Sequence, residues 1–276
     1  MQAEGSAQKA AGQGGAAGRN KLAKVKAQLA GVRVVLVRPK YGENVGGAAR
    51  VAHNMGISRL VVVAREMPEQ AAMEKMATHH ARELIDGLTL APTLAAAVAD
   101  CSWVVGTTAR QGRRRFFLKN PAQMVDHLLP KLAHNQVALV FGPEDCGLSN
   151  AELELCNATV TIPTADFSSL NLAQAVGVLC YELFSTLMAR KGVAPATPAL
   201  ASSRLVTALH DELEKTLAAI GYLQEADLGL WRHNFSHFFN RVGLRAREVK
   251  LIRGLCQQVQ WLAAGRPVRP CKAKEE

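Results

Sequence analysis

From Val32 onward the sequence alternates short apolar runs with stretches of helical periodicity, and this alternation restricts the fold more than any other feature. Val32–Val37 is a β-rich run, Asn44–Met55 reads as a helix and Arg59–Ala64 as a second strand. A strand, a crossover helix and a further strand form a βαβ unit, whose strands run parallel. Strand-like runs at Ser102–Val105, Val137–Phe141 and Thr159–Ile162 extend the pattern. Helical stretches lie between them at Glu69–Asp86, Pro92–Ala99, Pro121–Leu132 and Asn150–Cys156. Runs apolar on both faces suit a parallel sheet covered by helices on both sides. The expected fold is therefore an α/β domain over residues 32–189.

The flanking segments differ in character. Residues 1–31 are rich in Ala, Gly and Gln and basic, and read as a disordered arm. Residues 190–203, with Gly192, Pro195 and Pro198, read as a linker. Residues 204–276 read as a small helical C-terminal domain with a basic tail, its helices at Leu205–Ile220, Gly229–Asn240 and Arg245–Ala264. That region is too short to bury a large core alone, so packing on the α/β domain or on a second subunit is expected.

Charge points to the class of partner. A net charge of +10 favours an anionic partner, nucleic acid first. The basic residues are clustered: Arg110, Arg113, Arg114, Arg115 and Lys119 in one loop, and Arg241, Arg245, Arg247, Lys250 and Arg253 near the C-terminus. The six cysteines form no CxxC pair, which argues against a disulfide framework and a zinc site and fits a reducing cytosol. His233 and His237 are four apart, but no Glu follows His233 and no third ligand is evident, so no metal is expected. No signal-peptide stretch is present and no apolar run reaches the length of a membrane span. A cytoplasmic protein without a membrane partner is the expectation.

Three strand-end loops carry the chemistry-bearing residues. The first βα turn holds Gly42-Glu43-Asn44-Val45-Gly46-Gly47-Ala48-Ala49-Arg50. It lacks the GxGxxG spacing of a dinucleotide site, and its small residues suit close helix packing. Asn44 and Arg50 are not explained by packing. Leu139 to Asn150 runs from a strand through Gly142-Pro143-Glu144-Asp145 to a helix capped by Ser149 or Asn150. Val104-Val105-Gly106-Thr107-Thr108-Ala109-Arg110 is a third such loop. Ile162 to Val176 then leaves a strand through a polar turn and enters a helix at Ser168, Ser169 and Asn171, with Leu172, Val176, Leu179 and Leu183 on the core side. Loops at the carboxyl ends of parallel strands are where α/β proteins bind ligands.

Together these segments resemble the SpoU (TrmH-like) branch of the SPOUT RNA methyltransferases. Asn44–Arg50, Val140–Asn150 and Ile162–Ala175 are similar to its three motifs, in order. Within the branch the TrmJ group of tRNA ribose methyltransferases is the nearest likeness, on Phe167-Ser168-Ser169-Leu170-Asn171-Leu172-Ala173, on the Val104–Arg110 loop and on Leu251-Ile252-Arg253-Gly254-Leu255. The chain departs from it at Pro143-Glu144-Asp145, where relatives often show Arg-Glu-Arg, and in its long N-terminal arm.

The resemblance implies a C-terminal trefoil knot, S-adenosylmethionine as cofactor, and a homodimer whose active site is completed across the interface. It gives the alanines near Ala48 and Ala52 a role in close packing. The implied activity is 2′-O-methylation of tRNA ribose at the anticodon-loop nucleotide 32, with ribosomal RNA as the alternative substrate and a non-catalytic RNA-binding protein as the alternative class. Arg50 is the implied catalytic residue, oriented by Asn44; it acts as a base with help or positions phosphate and hydroxyl, since Arg stays protonated. Glu144, Ser169 and Asn171 are implied to hold Arg50, the substrate or the cofactor loops. Backbone groups near Thr107, Gly142, Ile162, Leu170 and Asn171 are implied to bind the cofactor, and Arg110, Arg113, Arg114 and Arg115 the RNA.

Overall fold

The structure, a computed structural model, describes residues 18–109, 116–166, 169–190, 192, 195–224 and 228–265. In chain order its elements are α1 (18–29), β1 (Val32–Val37), α2 (Gly42–Asn54), β2 (Arg59–Val63), α3 (Gln70–Asp86), β3 (Thr89–Ala91), α4 (Leu94–Ala97), β4 (Trp103–Thr107) and β5 (Phe117–Leu118). There follow α5 (Pro121–Leu128), β6 (Val137–Phe141), α6 (Asn150–Glu154), β7 (Ala158–Val160), α7 (Leu172–Ala189), α8 (Ser203–Ala219), α9 (Leu228–Val242) and α10 (Ala246–Ala263).

The strands form one seven-stranded sheet in the order β3-β2-β1-β6-β4-β7-β5, and every pairing in it is parallel. Successive side chains of a strand point to opposite faces, and here both faces are apolar. Val34, Leu36, Val62, Leu139 and Phe141 pack on one side with α2, α5 and α7. Val35, Val37, Val63, Ala138 and Val140 pack on the other with α4 and α6. The α/β expectation holds. The edge strands β3 and β5 are additions to it; three and two residues long, they are too short to show a pattern.

Close helix approach depends on the small residues of the first turn. A Cβ at Gly46 would lie 2.0 Å from the Met73 carbonyl oxygen, so only glycine lets α2 lie this close to α3. Ala48 and Ala52 are fully buried in the same core. These alanines are therefore used inside the subunit and are not available to a partner subunit.

Two other expectations change. The arm does not extend to residue 31: 18–29 is helical, with Val25 and Leu29 buried in the main core, while 1–17 lie outside the described residues. Leu22, Val25 and Leu29 form a helical stripe, and the intervening Lys24 and Lys26 stay in solvent. Helix α7 is also long and apolar enough, by length and composition, to cross a membrane, contrary to the expectation that no apolar run reaches that length. Its Val176, Leu179, Cys180 and Leu183 are fully buried in the main core, which accounts for its composition.

The stretch between α7 and α8 is tied down. The Thr197 N–H donates to the Pro130 carbonyl (2.6 Å) and the Leu200 N–H to Asn135 Oδ1 (2.8 Å). Asn135 Nδ2 donates back to the Pro198 carbonyl (3.4 Å), and the Ala201 N–H to that of Leu244 (2.7 Å). The Ser203 N–H and hydroxyl then donate to the Cys101 carbonyl, at 2.7 and 3.0 Å. Helices α8 to α10 enclose a small core around Leu209, Phe239 and Val249. They attach beside the amino ends of β4 and β6.

A buried polar cluster lies near that junction. Lys131 Nζ donates to the His127 carbonyl (2.8 Å), lies 3.2 Å from His127 Nε2, and stands 4.4 Å from the centre of the Trp103 ring. Burial, then the Lys131 charge, pushes the His127 imidazole down from 6.5 to about 4. Burial pushes the Lys131 amine down from 10.5 to about 8. A lowered imidazole pKa means that the folded state binds fewer protons there than the unfolded chain, so stability is lost as pH falls from 6.5 to about 4. A denaturant series across that window is expected to show this loss, and His127→Gln to flatten it.

Candidate active site at the carboxyl ends of the strands

Strands β4, β6 and β7 end side by side, and the loops leaving them enclose a cavity of about 320 Å³. Volumes near 300 Å³ are at the small end of the range for organic ligands. Phe141, Leu148, Val160, Leu172 and Ala175 contribute apolar walls, and Thr107, Thr108, Glu144, Asp145 and Ser169 contribute polar ones. The walls are cross-braced. Thr107 Oγ1 donates to the Val140 carbonyl (3.1 Å), the Thr108 N–H to that of Val160 (3.0 Å), and Thr161 Oγ1 to that of Thr108 (2.6 Å).

The loop after β6 folds tightly back on itself. A Cβ at Gly142 would lie 2.3 Å from the Leu148 nitrogen and 2.4 Å from the Gly147 carbonyl carbon, so any other residue would open it. The Gly147 N–H closes the turn on the Pro143 carbonyl at 2.9 Å. Ser149, rather than Asn150, then caps α6. It shares a reciprocal capping box with Glu152, whose carboxylate accepts from the Ser149 N–H at 2.8 Å.

Three distant segments meet through one amide. Asn44 Nδ2 donates to Glu144 Oε1 (2.6 Å), and Asn44 Oδ1 accepts from Asn171 Nδ2 (2.8 Å). Asn171 Oδ1 in turn accepts from the Ala173 and Gln174 N–H groups (2.9 and 3.3 Å) and caps α7. The second oxygen of Glu144 accepts from the Lys40 N–H at 3.0 Å. The order of donors and acceptors leaves each side-chain amide one orientation.

The β1–α2 loop is held to the β6–α6 loop beside this chain. The Arg38 guanidinium meets both carboxylate oxygens of Glu152. Lys40 Nζ lies 2.7 Å from Asp145 Oδ2. These contacts set the charge states. Burial would raise the Glu152 carboxyl, but the hydrogen bond from Arg38, followed by those from Ser149, holds it below the usual range. The bond from Lys40 lowers Asp145. Among the described residues, no group of three or more His, Cys, Asp or Glu side chains could hold a metal ion.

The sequence model of the SpoU rRNA methylase family matches residues 31–181, more than half of the chain and the whole of this site. The chain belongs to the SpoU methylase family. Residues 205–272 match the C-terminal domain of the tRNA methyltransferase TrmJ. The tRNA (cytidine/uridine/adenosine-2′-O-)-methyltransferase TrmJ of Pseudomonas aeruginosa is 35% identical over 85% of this chain and 95% of its own length. The TrmJ of Yersinia enterocolitica is 32% identical over 84% and 92%. The crystal structure of TrmJ from Z. mobilis superposes with a TM-score of 0.70 at 29% identity, covering 83% of this chain and 98% of that one.

The three SpoU-like segments converge, residue by residue, with one exception. Thr107, Gly142, Glu144, Ile162, Ser169 and Leu170 line the cavity. Asn44 and Asn171 stand behind Glu144 in the hydrogen-bonded chain. Arg50 is apart from them. It is six residues beyond Asn44, or ~9 Å along the helix and ~240° around it. It is exposed, and its side chain makes no hydrogen bond or ion pair with the described residues. Arg110, Arg113, Arg114 and Arg115 lie outside the described residues, but Ala109 at one end of their loop lines the cavity. Lys40, Arg38 and Glu152 are site neighbours that the motifs did not single out. Replacing Asn171 by Ala is expected to cost about 1 kcal/mol through the lost α7 cap, read by denaturant unfolding.

Proposed function

We propose that this SpoU-family protein is a cytoplasmic, S-adenosylmethionine-dependent tRNA ribose 2′-O-methyltransferase, with the anticodon-loop nucleotide at position 32 as its target. The observation that carries the reading is the Glu144–Asn44–Asn171 chain beside a cavity at the strand ends. It ties all three motif segments to one place. The tRNA 2′-O-methyltransferase TrmJ relatives, matched over nearly their whole length, support the substrate class.

The cavity suits the cofactor in kind. Its apolar walls suit a flat base, and backbone groups near Thr107, Gly142, Ile162 and Leu170 along the cavity, with that of the adjoining Asn171, are assigned to the polar edges of an adenosyl group. Bound S-adenosylmethionine supplies a methyl group already activated on a sulfonium. The protein's work is positioning the ribose and handling the proton of its 2′-hydroxyl. The C-terminal trefoil knot expected of the family is the arrangement that would hold these loops closed around it.

Arg50 is assigned to the ribose and its phosphate in a site shared between two subunits. Its separation from the Asn44 side of α2 supports a homodimer, in which Arg50 serves the partner's cavity. Exposed Val178 and Tyr181 on α7 and Tyr41 at the start of α2 provide apolar surface for such an interface. Beside a phosphate, a permanently charged guanidinium orients the hydroxyl, and the phosphate is the more basic group to take its proton. Ser169 and Glu144 hold the cavity side of the substrate. Arg110, Arg113, Arg114 and Arg115 are assigned to the RNA backbone.

Transfer of labelled methyl groups to total tRNA against ribosomal RNA, with mapping of the modified nucleotide, tests the reading. Label in ribosomal RNA alone, or in neither, would overturn it. Arg50→Ala is expected to bind S-adenosylmethionine normally in calorimetry and to lose methyl transfer. Neutralising Arg113, Arg114 and Arg115 is expected to weaken tRNA binding and flatten its salt dependence, each lost phosphate contact removing ~0.7–0.9 from the logarithmic slope.

A further inference from the structure

Arg38 takes no part in the motifs, yet its conformation is unusual. It follows β1 directly and has φ +47°, the left-handed region that side chains other than Gly, Asn and Asp seldom occupy. Its N–H still extends the sheet, donating to the Val63 carbonyl at 2.8 Å. The backbone is therefore turned sharply at the last point where the sheet holds it. The guanidinium is then directed across to α6, where it meets Glu152 with two bonds. Glu152 is itself fixed by the Ser149 capping box, and its side chain is only 12% exposed. Two residues on, the Lys40 N–H holds Glu144 and the Lys40 ammonium holds Asp145.

We infer that Arg38 is a positioning residue for the methyl-transfer site: its pair with Glu152 clamps the β1–α2 loop onto the first turn of α6, at the end of the β6–α6 loop, and so sets the placement of Glu144 and, through it, of Asn44. The inference rests on the methyltransferase reading above. Arg38 is not among the residues lining the cavity; it acts through the Lys40 N–H. The cost of a left-handed arginine is retained because the bidentate bond to an already fixed carboxylate selects that backbone. An exposed surface pair contributes little by itself, but this one joins a strand end to a capped helix on either side of the carboxylate that begins the hydrogen-bonded chain.

Two substitutions separate this role from plain stabilisation. Arg38→Gly removes the clamp while relieving the backbone, since glycine adopts positive φ freely. Glu152→Gln removes the ion pair while keeping a residue able to form the capping box. Both are expected to keep a thermal midpoint near that of the unsubstituted protein and a KM for S-adenosylmethionine within about twofold, while kcat falls at least about tenfold. The double variant is expected to lose no more than either alone. Amide exchange in residues 142–148 is expected to quicken in both. Arg82→Ala, which removes two surface ion pairs on α3, to Glu74 and Asp86, serves as the control with unchanged kcat.

Unchanged kcat in Arg38→Gly and Glu152→Gln, with the unsubstituted enzyme active, would overturn the clamp and leave the methyltransferase reading intact. A fully additive double variant would overturn it equally. If the unsubstituted protein fails to methylate tRNA, the functional reading fails, and exchange alone decides the clamp: quicker exchange in the 142–148 loop supports it, and unchanged exchange overturns it.

Discussion

The side-chain amide of Asn44 uses both its ends on other parts of the chain, giving a hydrogen to Glu144, 100 residues away, and accepting one from Asn171, 127 residues away. Hydrogen bonds contribute modest net stability, ~1 kcal/mol between neutral groups such as the two amides and ~1.5–3 kcal/mol to a charged group such as the Glu144 carboxylate. Their importance here is directional. Glu144 can only accept and the Asn171 carbonyl is committed to the α7 N–H groups, so the sequence of donors and acceptors fixes which segments meet and in what orientation. Cavity walls, capped helix and first βα turn all refer their positions to this one group.

The same residues serve structure and site at once. Asn171 caps α7 and holds Asn44; Glu152 completes a capping box and receives Arg38. A helix start offers unpaired N–H groups and a fixed direction. Side chains that satisfy those groups are immobilised, and an immobilised side chain is a good anchor for the next contact. Such sharing explains why the polar residues cluster at the starts of α6 and α7 while the buried faces of both helices carry only packing.

Much of the fold was legible in the sequence because its signals are local. Val137–Phe141 is an unbroken apolar run, buried at every position, and Val32–Val37 is interrupted only by Arg33, whose guanidinium is taken up by Asp100 and the Ala97 carbonyl. The Asn44, Glu144 and Asn171 positions were legible through the motifs. What was not legible depends on contacts between distant segments. Helix α1 was hidden because three apolar residues among lysines and alanines resemble a basic arm until the core they cover is present. The edge strand β5 exists only because β7 lies beside it. Arg38 has no signature, since neither its positive φ nor its partner at Glu152 can be read from neighbouring residues. Ala48 and Ala52 were recognised as packing residues, but which surface they pack on had to come from the structure.

The fastening of residues 197–201 has a geometric consequence. Asn135 holds that segment from both sides, accepting from Leu200 and donating to Pro198, and it sits two residues before β6, whose far end opens into the cavity. The helical tail thus takes its bearing from the same strand that delivers Gly142 and Glu144, but from the opposite end, ~16 Å away for a five-residue strand. The sheet acts as a rigid beam with the helical region fastened at one end and the cavity open at the other. Any molecule that touches both ends within one subunit must reach along the outside of that beam, and the beam's length sets its minimum span.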